Sequence, residues 1–243
     1  MKTVRFLFVL AITALFTAIS YAQTAEEIVQ KYMDAAGTKA KWDSIKTMKA
    51  TGYASMGGME FSFTQYQKRP GKALLEVIVQ GMVMKQAYDG TMAWTINPFQ
   101  GSKKPEKVDD ETAKHFKDMG IIGGKLMNWK ENECKIELIG KEDFEGTEVF
   151  KLKLTDKDAM ETMYYLDAAK YLELKVTAKS KMMGKEIESE TTYGNFKTVN
   201  GVMIPFTMEI NTKGSQMGSQ TLKLDKVEHN VDMDDAIFVM PKE

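Results

Sequence analysis

The sequence predicts a mainly β protein built around one large, curling antiparallel sheet. Three observations carry this prediction. From Ile45 onward apolar and polar residues alternate with period two; Asp89-Gly90 and repeated glycines separate the alternating runs; and about a dozen such runs follow one another without internal repeat, low-complexity tract or linker. Alternation marks strands with one buried face, Asp-Gly marks a hairpin, and a sheet of that size curls or closes rather than staying flat. Residues 23–243 are therefore expected to form a single domain.

The first 22 residues are expected to be removed. Lys2 and Arg5 precede the apolar run Phe6 to Ile19, and Ser20-Tyr21-Ala22 places small residues at the positions of a cleavage site. This is the pattern of a secretory signal peptide cut after Ala22, and no cysteine follows it to carry a lipid anchor. No second run approaches the ~20 apolar residues of a membrane-spanning helix. Taking Lys2 and Arg5 from 33 basic residues leaves 31 against 34 acidic ones, a net charge of −3. That balance argues against a nucleic-acid partner, which needs a basic surface.

The elements follow in order. Thr24 and Glu27 form a capping-box start, and Ile28, Tyr32 and Ala35 repeat at helical spacing until Gly37. A second short helical stretch carries Trp42. Met59, Phe61 and Phe63 alternate with polar residues; Ala73, Leu75, Val77 and Val79 share one parity; Met82, Met84 and Gln86 follow. After the Asp89-Gly90 turn come Met92, Trp94 and Ile96. Five strands joined by short turns read as a meander, which breaks at Pro98. Lys103 to Lys107 is a polar loop, and Asp109-Asp110-Glu111 opens a helix running to Gly120, its acids placed where the macrodipole favours them. The segment GIIGGKLMNW, residues 120–129, is apolar and glycine-rich, suited to a hinged lid. Strands resume near 135–142, 147–155, 160–167, 170–180, 185–198, 201–212 and 217–229, with Gly146, Gly184, Gly201 and Gly214 at turns or bends.

Several chemistries lack their parts. GIIGGK has Met119 and Leu126 where a phosphate loop needs Gly and Ser or Thr. Two histidines and one cysteine in unrelated contexts offer no nucleophilic constellation, so Cys134 reads as a buried small hydrophobe. The acidic clusters at 109–111 and 232–235 lack calcium-loop spacing and suit a helix start and a capped turn. No cofactor, metal site or catalytic residue is assigned. Two features remain. The chain holds nineteen methionines, a residue favoured where surfaces accept varied apolar partners but one that also fills ordinary cores, so the count by itself favours core. Arg69 shares parity with Met59, Phe61 and Phe63, which would aim a charge at an apolar face where it needs acceptors.

Lys68-Arg69-Pro70, Asp89-Gly90, Trp94 and Asn97-Pro98-Phe99 resemble, in order and spacing, the pattern of the LolA-like family of periplasmic carriers of outer-membrane lipoproteins. The terminal GVMIPFTMEI and VEHNVDMDDAIFVMP resemble that family's last strands. The resemblance implies an open, strongly curved antiparallel half-barrel (LolA/LolB-like), with an N-terminal helix and a helical lid over an apolar cavity. It implies that Arg69 bonds to the lid and holds it shut. Cavity-lining residues would be Met59, Phe61, Phe63, Leu75, Val77, Met82, Met84, Met92, Trp94 and Ile96. The lid would present Phe116, Met119, Ile121, Ile122, Leu126, Met127 and Trp129. The family often has an aromatic where this chain has Ala73, which points to a wider cavity mouth or a different hand-off. By the same resemblance the partners are acylated lipoprotein or lipid cargo, an inner-membrane lipoprotein-release transporter and an outer-membrane acceptor, and the protein is a periplasmic monomer. A lipid-sensing module of the same fold, a lipid- or glycan-acting enzyme, and a β protein with a closed dry core stay open as alternatives.

Overall fold

A computed structural model describes residues 23–182, 185–213 and 218–242. The predicted signal peptide, and the turn glycines Gly184 and Gly214, lie outside the described residues. Helix α1 (Ala25–Ala35) begins at Thr24, whose side chain accepts from the Glu27 amide while Glu27 returns the bond to the Thr24 amide. Its buried stripe of Ile28, Val29, Tyr32 and Met33 is the helical repeat legible in the sequence. The short helix α2 (Lys39–Ser44) follows and buries Trp42, whose Nε1 donates to the Ala36 carbonyl at 3.0 Å.

The strands are β1 (Thr47–Met56), β2 (Met59–Lys68), β3 (Lys72–Val79), β4 (Met82–Tyr88), β5 (Ala93–Ile96), β6 (Glu106–Lys107), β7 (Lys135–Phe144), β8 (Thr147–Thr155), β9 (Glu161–Asp167), β10 (Glu173–Met182), β11 (Lys185–Val199), β12 (Val202–Lys213) and β13 (Gln220–His229). Between β6 and β7 lie helices α3 (Asp110–Met119) and α4 (Gly124–Met127). All thirteen strands join one antiparallel sheet in the order β6-β5-β4-β3-β2-β1-β13-β12-β11-β10-β9-β8-β7. The chain thus starts mid-sheet, walks to one edge, crosses to the other edge through α3 and α4, and walks back until β13 pairs with β1. The strand β6 is a two-residue pairing inside what the sequence presents as a polar loop, too short to leave a periodic signal.

The crossover reveals the curvature. Strands β3 and β10 are six places apart, roughly 29 Å in a flat sheet at ~4.8 Å per strand. Yet α3, a helix of ten residues and so about 15 Å long, touches both. The sheet must curl around the helices, as the accumulated twist of many strands requires.

Three apolar clusters organise the packing. On the concave face α1, α2 and α4 pack against β7–β9, β12 and β13 through Ile28, Trp42, Leu126, Leu152, Leu166 and Phe206. Farther along the same face Phe61, Phe63, Leu75, Val77 and Met84 cluster with Ala54 and Leu222. On the outer face the C-terminal segment lies over β2–β5, where Leu74, Ala87 and Trp94 meet Met233 and Phe238. Trp94 donates from Nε1 to the Phe238 carbonyl at 2.7 Å, and Asp235 bridges Lys68 and Lys72 at 2.7 and 2.8 Å.

That third cluster corrects the sequence reading. Trp94 and Ile96, expected to line a cavity, sit on the opposite face. In the β4–β5 hairpin Ala87 pairs with Trp94 and Gln86 with Thr95. The turn between them holds four residues, 89–92, and an even count hands the inward face from even to odd positions. Met92 belongs to that turn, its amide bonded to Asp89 Oδ1, and precedes the strand. Met59 and Met82 share the concave face but stand at hairpin tips, 51% and 37% exposed.

Candidate functional site

The sheet and the helical layer do not close completely. Between them is a cavity of about 400 Å³, walled by β1, β2 and β9–β13 and roofed by α1, α2 and the 118–126 stretch. That volume lies within the ~300–1,000 Å³ of ordinary ligand pockets. Its lining is mainly apolar, with Met48, Val176, Met203, Met208, Leu224 and Val227 on the sheet side. An open groove of about 530 Å³ runs beside α3 along β9 and β10, past Met160, Met163 and Ala178; Asp118 borders both spaces.

The roof is anchored unevenly. Ile122, Leu126 and Met127 are fully buried in the main core, and Asn128 Nδ2 donates to the carbonyls of Ile122 and Gly124 at 3.0 and 2.7 Å. The α4 half is therefore core rather than flap, with Trp129 packed against it. Gly123 adopts a left-handed φ of 86° with its α-carbon face against the Trp42 ring, a reason for glycine based on space and conformation. The α3 half is less buried, with Phe116 its one buried side chain. Gln67 Nε2 donates to the Met119 carbonyl at 2.5 Å, and Gly120 packs directly on the Gly71 carbonyl. Lys125 links the halves through Asp118 at 2.8 Å and Asp156 at 3.1 Å; burial alone would lower its pKa, but these two carboxylates outweigh burial and raise it.

Arg69 is aimed inward but reaches a different acceptor from the expected one. Its Nε donates to the Ile45 carbonyl at 3.0 Å and its Nη2 to the Trp42 carbonyl at 3.1 Å, with Asp43 Oδ1 at 3.6 Å. These carbonyls lie at the C-terminus of α2, where a cation suits the macrodipole, and the Trp42 carbonyl also accepts the Ile45 amide. The expected bond to the 116–129 lid is thus replaced by one to α2, because the β2–β3 turn lies against that helix end. The residue that does reach α3 is Gln67, two positions earlier on the same face.

Of the expected lining, Phe61, Phe63, Leu75, Val77 and Met84 form the neighbouring concave cluster rather than the wall of the cavity. Of the expected lid residues, Met119, Ile121 and Leu126 border the cavity. One wall of the cavity leaves no signal in the sequence. Tyr32 from α1, Tyr164 from β9, Glu173 from β10 and Tyr193 from β11 converge there. Burial pushes the Glu173 carboxyl up to about 7, against the hydroxyls of Tyr193 and Tyr32, which neighbour it and favour its ionised form. Burial first, and then Glu173, raise Tyr32 and Tyr164 well above the ordinary phenol range, and the same two causes act on Tyr193.

Glu173 faces inward because of a bulge. Glu173 pairs with Leu166 and Val176 with Tyr164, all four on the concave side, whereas Lys175 pairs with Tyr165 and lies over its ring. The register shift between Glu173 and Lys175 inserts one residue. Without it Glu173 and Lys175 would share a face, so the bulge re-aims the carboxylate. No period-two reading of the sequence could place it there.

The acidic clusters have local roles. Asp109 caps α3 by accepting from the Thr112 amide at 2.8 Å, and Asp234 accepts from the Ala236 amide at 2.9 Å. Cys134 is buried beside Asn132 in the main core.

No family model matches the chain, and no curated protein matches it. Solved structures do. A LolA superfamily protein from Nitrosomonas europaea aligns over 90% of this chain and 98% of its own, with TM-score 0.61 and 13% identity. An outer membrane lipoprotein-sorting protein domain from Vibrio parahaemolyticus aligns over 87% and 94%, with TM-score 0.57 and 16% identity. A DUF1329 family protein from Desulfovibrio piger aligns over 90% and 98%, with TM-score 0.57 and 14% identity. At these identities the likeness is one of fold: the chain has the LolA-like architecture.

Proposed function

Proceeding from that architecture, we propose that the protein is a non-enzymatic carrier that shields the acyl chains of lipoproteins or lipids in its concave cavity and delivers them toward the outer membrane. The observation that carries this reading is the apolar space of about 400 Å³ between sheet and helices, bordered by the end of α3, a helix that buries Phe116 and otherwise stays partly exposed. A dry core would have closed it, since interiors pack to crystal density. Burial is worth about 0.8 kcal/mol per methylene, so a chain of around fifteen carbons needs roughly 12 kcal/mol of shelter to leave a membrane. The lining and the adjoining Phe61, Phe63 and Met84 cluster would supply it.

In this reading α3 is the part that moves, released from Gln67 and Gly71, while α4 stays with the core. Cargo can shift the open and closed populations only by its differential affinity for them, so a weakly latched helix suits a carrier that must also unload. By its sequence resemblance and fold, the protein would work in the periplasm as a monomer, between an inner-membrane release transporter and an outer-membrane acceptor. Among the described residues no helix is long and apolar enough to cross a membrane.

Native mass spectrometry of the mature protein purified from its own cells, followed by lipid extraction, tests the proposal. Co-purifying acylated peptide or lipid is expected. A protein that stays empty after incubation with lipoprotein and lipid vesicles refutes it.

A further inference from the structure

An apolar cavity for acyl chains has no use for a carboxylate, yet this one has been given one. Glu173 is turned inward by a bulge, and Tyr32 and Tyr193 offer it two donors. A carboxylate has about four acceptor positions, so two hydroxyls do not exhaust those of Glu173, which lines the cavity. On another wall Gln67 spends its Nε2 on Met119, while its Oε1 is buried with no hydrogen-bond partner among the described residues; the residue is 6% exposed. A buried acceptor left unpaired is costly, and in native structures such groups mark a missing partner. Two walls of one cavity therefore hold acceptors waiting for donors.

We propose, building on the carrier reading above, that the cavity selects acyl ligands whose polar end is an uncharged hydrogen-bond donor, a hydroxyl or an amide N–H, accepted by Glu173 or Gln67 Oε1. Anionic ends are disfavoured because they would meet a like charge beside Glu173. Strongly hydrated cations are disfavoured because most of the lining is apolar and would strip their water. The charged and titratable groups around this wall are Tyr32, Tyr164 and Tyr193, with Asp118 and Lys125 at the border; the Lys125 ammonium is already held by Asp118 and Asp156. With its carboxyl near 7, Glu173 is mostly anionic at about pH 8 and mostly neutral at about pH 6, so discrimination against anions should weaken as pH falls.

The test is displacement of a fluorescent acyl probe from the delipidated mature protein by dodecanol, dodecanamide, dodecanoate and dodecylamine. At about pH 8 dodecanol or dodecanamide should bind about tenfold or more tightly than dodecanoate, the scale of one hydrogen bond to a charged group. Glu173→Gln should bring dodecanoate to within about threefold of the alcohol. Lowering wild-type protein to about pH 6 should narrow the gap in the same direction, which keeps the test open if the variant folds poorly. Equal binding of alcohol and dodecanoate at both pH values, or a preference for the amine, overturns the inference and leaves the carrier reading standing. Failure of every probe and of lipid vesicles to bind overturns both.

Discussion

Gly120→Ala tests how α3 is held. Gly120 has an ordinary helical φ of −79°, so alanine is acceptable to the backbone itself. The obstacle is contact: a Cβ there would lie 2.2 Å from the Gly71 carbonyl oxygen and 2.6 Å from its carbon. Those are backbone atoms in the β2–β3 turn and cannot rotate aside as a side chain would. Overpacking of this kind costs about 1–3 kcal/mol, and separating α3 from the turn would also weaken the Gln67–Met119 bond. A net loss of about 2 kcal/mol in docking corresponds to about 30-fold faster exchange of protected amides in residues 110–119. Hydrogen–deuterium exchange with peptide resolution is the assay. The paired control is Gly71→Ala, whose Cβ would meet open space at an unstrained φ and should be neutral or slightly stabilising. If Gly120→Ala leaves protection of 110–119 unchanged, close backbone approach does not limit α3. If both variants behave alike, the contact has been assigned to the wrong partner.

Other perturbations separate the remaining parts. Arg69→Leu removes two charge-assisted bonds to the α2 terminus and should cost about 2–3 kcal/mol, read as a lower thermal midpoint, with new exchange in residues 39–46 rather than in α3. Trp94→Phe should cost about 1–3 kcal/mol through the lost Phe238 bond and a small void, while acyl-probe affinity stays at the wild-type value, because Trp94 lies on the outer face. The raised Glu173 carboxyl predicts a pH dependence of stability. Its contribution is fully present below the unfolded value near 4.3 and is lost as pH rises through about 7, so urea midpoints should decline across that window by the equivalent of about 3–4 kcal/mol; Glu173→Gln should flatten the decline. Asp235 has the opposite sign. Lys68 and Lys72 hold its carboxyl at about 2, so its contribution is present above about 4 and disappears toward pH 2, and Asp235→Asn should remove part of the acid-limb loss measured by denaturant titration.

Much of the scaffold was legible because its signals are local. The capping box at Thr24 and Glu27, the Asp109 start of α3 and the alternation of β7–β13 each depend on residues a few positions apart, and the structure reproduces them within a few residues. The two-residue strand β6 is too short to carry a period and has the composition of a loop. Trp94 lies on the outer face because the four-residue turn at 89–92 reverses parity, a count that the sequence itself contains. Arg69 was recognised as needing acceptors, but which helix end lay opposite depends on how the sheet curls. Glu173 left no signal at all: one inserted residue in β10 reverses its side, and the strand reads the same with or without it.

By itself, then, the sequence determined a large antiparallel sheet, its hairpin order, its helix starts and the chemistries for which the residues are missing. These follow from periodicity, capping and composition, which act along the chain. Tertiary structure alone decided that β1 pairs with β13, that Gln67 rather than Arg69 holds α3, and that four polar side chains from four elements meet in one cavity. Those are contacts between residues tens to more than a hundred positions apart. They exist only once the accumulated twist has curled the sheet and brought its strands around the same space.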